Sequence, residues 1–128
     1  MFYEINTKQA PCPIGPYVQG VDLGNIIITS GQIPINPING TIDNEICKQT
    51  RQTLENIKAI IKAAQLDVKN IVKTTIFLIN LNDIELINST YELFFIENQS
   101  NFPARSCIEV SKLPKNVKIE IEAIAIRQ

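Results

Sequence analysis

The chain has 128 residues, 45% of them hydrophobic, and its 12 Lys+Arg against 13 Asp+Glu leave a formal net charge of −1. That length predicts one domain over residues 1–128, and the composition excludes collagen, coiled coil and general disorder. No uninterrupted apolar run of about 18 residues is present for a membrane helix, and the near-neutral charge argues against a nucleic-acid-binding or anionic-membrane surface.

In chain order, residues 2–6 alternate and predict a short edge strand. Pro11, Pro13, Gly15 and Pro16 then mark an extended, kinked connection. Val18 to Asp22 and Asn25 to Ser30 read as a strand pair turning at Gly24-Asn25. Ile33 to Glu45, punctuated by Pro34, Pro37 and Gly40, reads as a loop. Ile46, Thr50, Leu54, Ile57, Ile61 and Ala64 recur at steps of three and four, which predicts a helix over 46–64. Ile71 to Ile79 is β-branched and apolar nearly throughout, as in a central strand covered on both faces. Asp83 is the expected N-cap of a second helix, with a stripe of Ile84, Ile87, Tyr91, Phe94 and Phe95, ending at Asn98 to Asn101. Residues 105–110 and 117–126 are two further strands. The order βββαβαββ predicts an α+β domain with two helices on one face of a mixed sheet.

The chain contains no His. This removes the commonest metal ligand and the usual proton shuttle near neutral pH, so Ser-His-Asp and Cys-His chemistry are excluded. Catalysis must come from carboxylates, Tyr, Lys, Cys or the backbone. Cys12, Cys47 and Cys107 are odd in number and form no CxxC. With no basic-then-apolar leader in MFYEINTK, free thiols and a cytoplasmic location are expected. Only three Arg are present, so each draws notice.

Alternation along the last two strands divides their side chains between faces. Ile119, Ile121, Ala123 and Ala125 share one face, opposite Lys118, Glu120, Glu122, Ile124 and Ile126. Ser106, Ile108 and Val110 share one face, opposite Arg105, Cys107 and Glu109. The more apolar face of each strand is expected to meet the helices. The other faces would then bring Arg105, Cys107, Glu109, Glu120 and Glu122 together. Such a surface is too apolar to leave bare and too charged for a dry core. Two arrangements fit it: a cleft between subunits where an Arg meets a Glu, or charges that are solvated or paired.

Phe102-Pro-Ala-Arg-Ser-Cys-Ile-Glu-Val110 and Leu113-Pro-Lys-Asn-Val-Lys-Ile-Glu-Ile-Glu-Ala123 resemble the signature of the RidA (YjgF) family. Gly15-Pro-Tyr-Val-Gln-Gly-Val21, Ile28-Thr-Ser-Gly-Gln-Ile-Pro34, Gln49-Thr-Arg-Gln-Thr-Leu-Glu-Asn56, Val72-Lys-Thr-Thr75 and Asn88 followed by Tyr91 match further motifs, so the likeness spans essentially the whole chain. The resemblance implies a chorismate-mutase-like fold and a homotrimer with ligand sites in the clefts between subunits. It implies hydrolysis of 2-imino acids and their enamine tautomers to 2-keto acids and ammonia, with no cofactor or metal.

A small planar carboxylate calls for a bidentate guanidinium, and Arg105 matches the family's carboxylate-binding Arg. Its alternative is a salt bridge to Glu120 or Glu122. Glu120 matches the family position that activates water and protonates the leaving nitrogen. Its apolar flanks suggest a raised pKa, which a nearby Arg105 would oppose; Glu122, on the same face, is its rival. The resemblance also places Cys107 in the site, as a binding rather than nucleophilic group, because nothing evident would make its thiolate. Tyr17 would reach into a neighbouring subunit's site, and Ser30 and Gly31 would offer a hydroxyl and a close backbone N–H. Asn88 would line the pocket or brace it. Gln65 stands where the family usually has a helix-ending Gly. Two other readings compete with the enzyme: a non-catalytic keto-acid-binding trimer, and an RNA-directed ribonuclease or translation inhibitor, which the acidic balance and missing His disfavour.

Overall fold

A computed structural model describes residues 1–128. Its strands are β1 (Tyr3–Ile5), β2 (Gly20–Asp22), β3 (Ile26–Thr29), β4 (Ile71–Leu78), β5 (Ala104–Glu109) and β6 (Ile119–Ile126), and its helices are α1 (Ile46–Ala63) and α2 (Ile84–Glu97). The order is βββαβαββ, and the expected boundaries shift by one or two residues. The strands form one mixed sheet in the order β1-β2-β3-β6-β4-β5. Only β4 and β5 pair in parallel; α2 makes the crossover between them. β6 lies between β3 and β4, antiparallel to both.

Both helices cover one face. Leu54, Ile57, Ile60 and Ile61 of α1 and Ile87, Tyr91, Phe94 and Phe95 of α2 pack with Ile27, Ile76, Leu78, Ile119, Ile121 and Ala125 of the sheet. The periodic residues of α1 are buried for this reason, and its buried Thr50 and Thr53 satisfy their hydroxyls on the carbonyls four residues back, each at 2.8 Å. The Glu45 carboxylate caps α1, accepting from Cys47 N–H and Lys48 N–H. Arg51 ties the helices together, reaching Glu55 at 3.0 Å and Glu97 of α2 at 2.6 Å.

Asp83 does not cap α2. A 3-10 turn over Leu81–Asp83 leads into that helix, Asp83 is already helical, and its side chain makes no cap bond. Asn80 and Glu109 do that work: the Asn80 side chain accepts from Asn82 N–H and the Glu109 carboxylate from Leu81 N–H at 2.9 Å. Gln65 has φ of 64°, the left-handed conformation a helix-ending Gly adopts freely.

Three buried amides hold the loops against this frame. Gln19 bonds Thr7 N–H and the carbonyls of Thr7, Ala10 and Pro11. Asn56 donates to the carbonyls of Ile33 and Ile35, and Gln49 bridges Asp43 O and Lys118 N–H. The segments that lead into and out of residues 14–17 and 30–33 are thereby fixed by fully satisfied polar groups.

Candidate active site

β6 behaves as its pattern predicts. Ile119, Ile121, Ala123 and Ala125 are buried under the helices, and Glu120, Glu122 and Ile124 lie on the opposite face. β5 does not follow the expectation. Its parallel register sets Cys107 beside Ile76 and Arg105 beside Thr74, both buried on the helix side. Arg105, Cys107 and Glu109 therefore face the helices, while Ser106 and Ile108 face the other way. The expected meeting of Arg105 with Glu120 on one sheet face is thus corrected. Register, not the relative polarity of the two sets, decides which set turns inward, and an edge strand covered only in part tolerates an Arg beneath a helix.

Two separate clusters result. The first surrounds Glu120, in a cleft of ≈ 320 Å³ lined by Ile14, Tyr17, Ser30, Gly31, Ile33, Pro114 and Glu120. A β-bridge between Gln32 and Ile121 sends Gln32 inward and leaves Gly31 and Ile33 on the Glu120 face. A Cβ on Gly31 would lie 2.9 Å from Glu120 Cδ and closer still to Oε2, so a side chain there would push the carboxyl away from this backbone. Burial raises the Glu120 pKa, and the negative charge of Glu122 raises it further. The sign left open in the sequence is settled within the chain, because Arg105 lies on the other face.

Tyr17 O–H accepts from Ile14 N–H at 3.2 Å, which leaves its own proton available to the cleft. Ser30 differs from expectation. Its hydroxyl donates to Val18 O at 2.5 Å, so it presents only acceptor lone pairs and steadies the segment that carries Tyr17. Gly31 N–H bonds no other group of the chain.

The second cluster lies on the helix side at the β5 edge. The Arg105 guanidinium sits 4.9 Å from the centre of the Tyr91 ring. It makes no salt bridge, so the alternative pairing with Glu120 or Glu122 does not occur. Cys107 is half-buried against the core, and all three cysteines are free. Val110 N–H bonds back to Leu78 O at 2.8 Å; strand alternation then turns the N–H groups of Arg105 and Cys107 to the open sheet edge. Asn88, one turn before Tyr91 on α2, is exposed and makes no side-chain hydrogen bond within the chain.

Tyr91 is the residue that sequence reasoning passed over. It was visible as part of the α2 stripe, but a phenol in a buried stripe needs a partner for its hydroxyl, and that signal marks it out. The partner is Thr74 Oγ1 at 2.6 Å. Burial pushes the Tyr91 phenol above its usual range, more than the Thr74 bond and the Arg105 charge draw it back. No three His, Cys, Asp or Glu side chains come together as metal ligands would, and no helix is long and apolar enough to cross a membrane.

An α+β sheet with two helices on one face, carrying an acid cleft on the other and an unpaired Arg at its edge, defines a chorismate-mutase-like fold with its candidate ligand groups divided between two faces. The family model described as Endoribonuclease L-PSP matches residues 7–127, and the chain belongs to this RidA/YjgF family. It is 61% identical over 124 residues to the 2-iminobutanoate/2-iminopropanoate deaminase of Escherichia coli K12, covering 97% of each chain. The corresponding deaminase of Salmonella typhimurium is 60% identical over the same length. Among solved structures, the YjgF gene product of E. coli superposes with a TM-score of 0.97 at 60% identity, covering 98% of this chain and 99% of that one. E. coli TdcF with bound serine also gives a TM-score of 0.97, at 53% identity and the same coverage.

Proposed function

We propose that this chain hydrolyses 2-imino acids and their enamine tautomers, such as 2-aminoacrylate and 2-aminocrotonate, to 2-keto acids and ammonia. The activity class rests on the identity to curated deaminases over 97% of the chain. The residue roles rest on the geometry. The single observation that carries them is that Arg105, the one Arg of three without a carboxylate partner, stands exposed with its donors unused.

Arg105 and Glu120 cannot serve one small ligand within one chain. They lie on opposite faces, and β4 separates their strands, about 10 Å apart at ordinary strand spacing. The reading therefore requires a second copy, whose Glu120 face docks on the β5 edge of the first. A homotrimer closes such a head-to-tail contact into a ring with three equivalent clefts. The face holding Glu120 also exposes Ile28, Ile108 and Ile124, which such docking would cover.

In each cleft, the fork of Arg105 and the edge N–H of Cys107 hold the substrate carboxylate. Tyr17 O–H and Gly31 N–H, from the copy that supplies Glu120, donate to the imine end or to water. The Glu120 carboxylate takes a proton from water as its oxygen attacks C2 and passes it to the imine nitrogen, giving a neutral tetrahedral carbinolamine. Glu120 then carries the carbinolamine hydroxyl proton to the same nitrogen as the C2–N bond breaks and the carbonyl forms. Water and the imino acid leave as ammonia and the keto acid, with no net proton change on the enzyme. The description Endoribonuclease is not carried over to this chain: RNA binding calls for clustered basic residues, and here 12 basic side chains are offset by 13 acidic ones with no His.

The test generates the imine in situ with a serine/threonine dehydratase and traps it with semicarbazide. Wild-type protein is expected to suppress semicarbazone formation, and folded Arg105→Ala to lose that effect. Absence of suppression by wild type with both imines would overturn the deaminase reading for these substrates.

A further inference from the structure

We infer that Tyr91 is a positioning residue for Arg105: its ring is a platform, tethered to the sheet by Thr74, that fixes the guanidinium for carboxylate binding. The inference deepens the deaminase reading and rests on it for the identity of the ligand.

Three observations carry it. Arg105 lies on an edge strand, is exposed, and has no acidic partner to restrain it. A free Arg side chain samples many rotamers, and fixing it on ligand binding is entropically unfavourable. Its one close aromatic neighbour is Tyr91, 4.9 Å from ring centre to guanidinium carbon. An aromatic face attracts a cation without using its N–H groups, which all lie in the guanidinium plane. A carboxylate in that position would have competed with substrate; a ring does not.

The platform is itself fixed. Tyr91 is 5% exposed, packs at 4.7 Å on Phe95, and holds Thr74 through its hydroxyl. Thr74 is 1% exposed and is the register partner of Arg105 across β4 and β5. The tether and the group being placed therefore start from one level of the sheet. A phenol is already neutral at physiological pH, and burial raises this one further, so the ring does not become a charged partner for Arg105.

The direct readout is the Nε–H resonance of Arg105, one of only three such signals in the chain. Wild type and Tyr91→Phe are expected to show it displaced by the ring current, and Tyr91→Leu to show it near the position of a free Arg. In the semicarbazide assay, Tyr91→Leu should raise KM about tenfold, the scale of a partly desolvated cation–π contact, with kcat largely kept, because Arg105 grips the carboxylate equally in ground and transition states. Tyr91→Phe should restore KM to within about twofold. In an Arg105→Ala background, Tyr91→Leu should add nothing further. An Arg105 signal at the same position in wild type and Tyr91→Leu, or a folded Tyr91→Leu with wild-type KM, would overturn the inference. Inactive wild type would instead sink the deaminase reading, and the resonance would still decide the platform.

Discussion

Glu120 sits in its cleft under two influences that point the same way. Loss of water and the charge of Glu122 both hold its proton more tightly than an ordinary glutamate with a value of 4.5. As a base it must be ionised, so activity should fall on the acid side as Glu120 takes up its proton, with the Arg105 of the neighbouring copy in the proposed cleft drawing the raised value back. Glu122→Gln removes the like charge and is expected to move that limb downward while leaving the plateau rate intact; the pH profile of kcat/KM checks this. Glu120→Gln should lower kcat by about 10² or more, as loss of a general base does. The same shift makes Glu120 unfavourable for stability. That penalty is absent below 4.5, where the side chain is protonated in both states, and is complete once pH has risen through the raised folded value. Thermal melts at pH 7 should therefore show Glu120→Gln at least as stable as wild type, which separates a lost proton carrier from a damaged fold.

At the scale of elements, the end of α1 shows how a departure from the family pattern is accommodated. Gln65 N–H bonds Lys62 O at 2.8 Å and Leu66 N–H bonds Ile61 O at 3.1 Å, the paired bonds of a helix end that turns left-handed. Gln65 completes that turn with its φ of 64°. An L side chain there is strained, so Gln65→Gly is expected to raise stability by about 1 kcal/mol, with kcat/KM unchanged. Urea unfolding at constant m-value checks it. The 3-10 turn Pro114–Asn116 holds two further left-handed residues, Lys115 and Asn116, next to the Pro114 that walls the Glu120 cleft. Backbone in this sparsely populated region persists where surrounding contacts impose it, and it clusters at functional sites.

For the whole molecule, the division of the site has a consequence that no single variant reveals. In the proposed reading, Arg105→Ala lacks the carboxylate clamp in every cleft, and Glu120→Ala lacks the base in every cleft. If each cleft takes Arg105 from one copy and Glu120 from another, co-refolding the two inactive variants in equal amounts regenerates intact clefts. Random assortment gives about a quarter of them. Recovery of roughly that fraction of the wild-type rate is the expected outcome in the semicarbazide assay. No recovery from a mixture that has exchanged subunits would mean that the site is not shared.

The residues themselves determined the element order, the helix faces and one face of β6. Each of these follows from a periodicity that a single burial gradient enforces: Ile46, Thr50, Leu54, Ile57 and Ile61 at helical spacing in α1, and Ile119, Ile121, Ala123 and Ala125 in strict alternation. The motifs also placed Arg105, Cys107, Tyr17, Ser30, Gly31, Asn88 and Glu120 in the resemblance. Alternation separated the two faces of β5, but the more apolar set of Ser106, Ile108 and Val110, expected inward, is not the set that faces the helices. That choice belonged to the parallel register with β4, a pairing between segments about thirty residues apart. It set Arg105 over Tyr91 and left Glu120, beside Glu122, on the far face. Other long-range contacts gave the Ser30 proton to Val18 and set Gly31 against the Glu120 carboxyl, because β6 and the segment after β3 lie side by side. Local sequence fixes which way neighbouring side chains point relative to one another; only long-range pairing fixes what they point at.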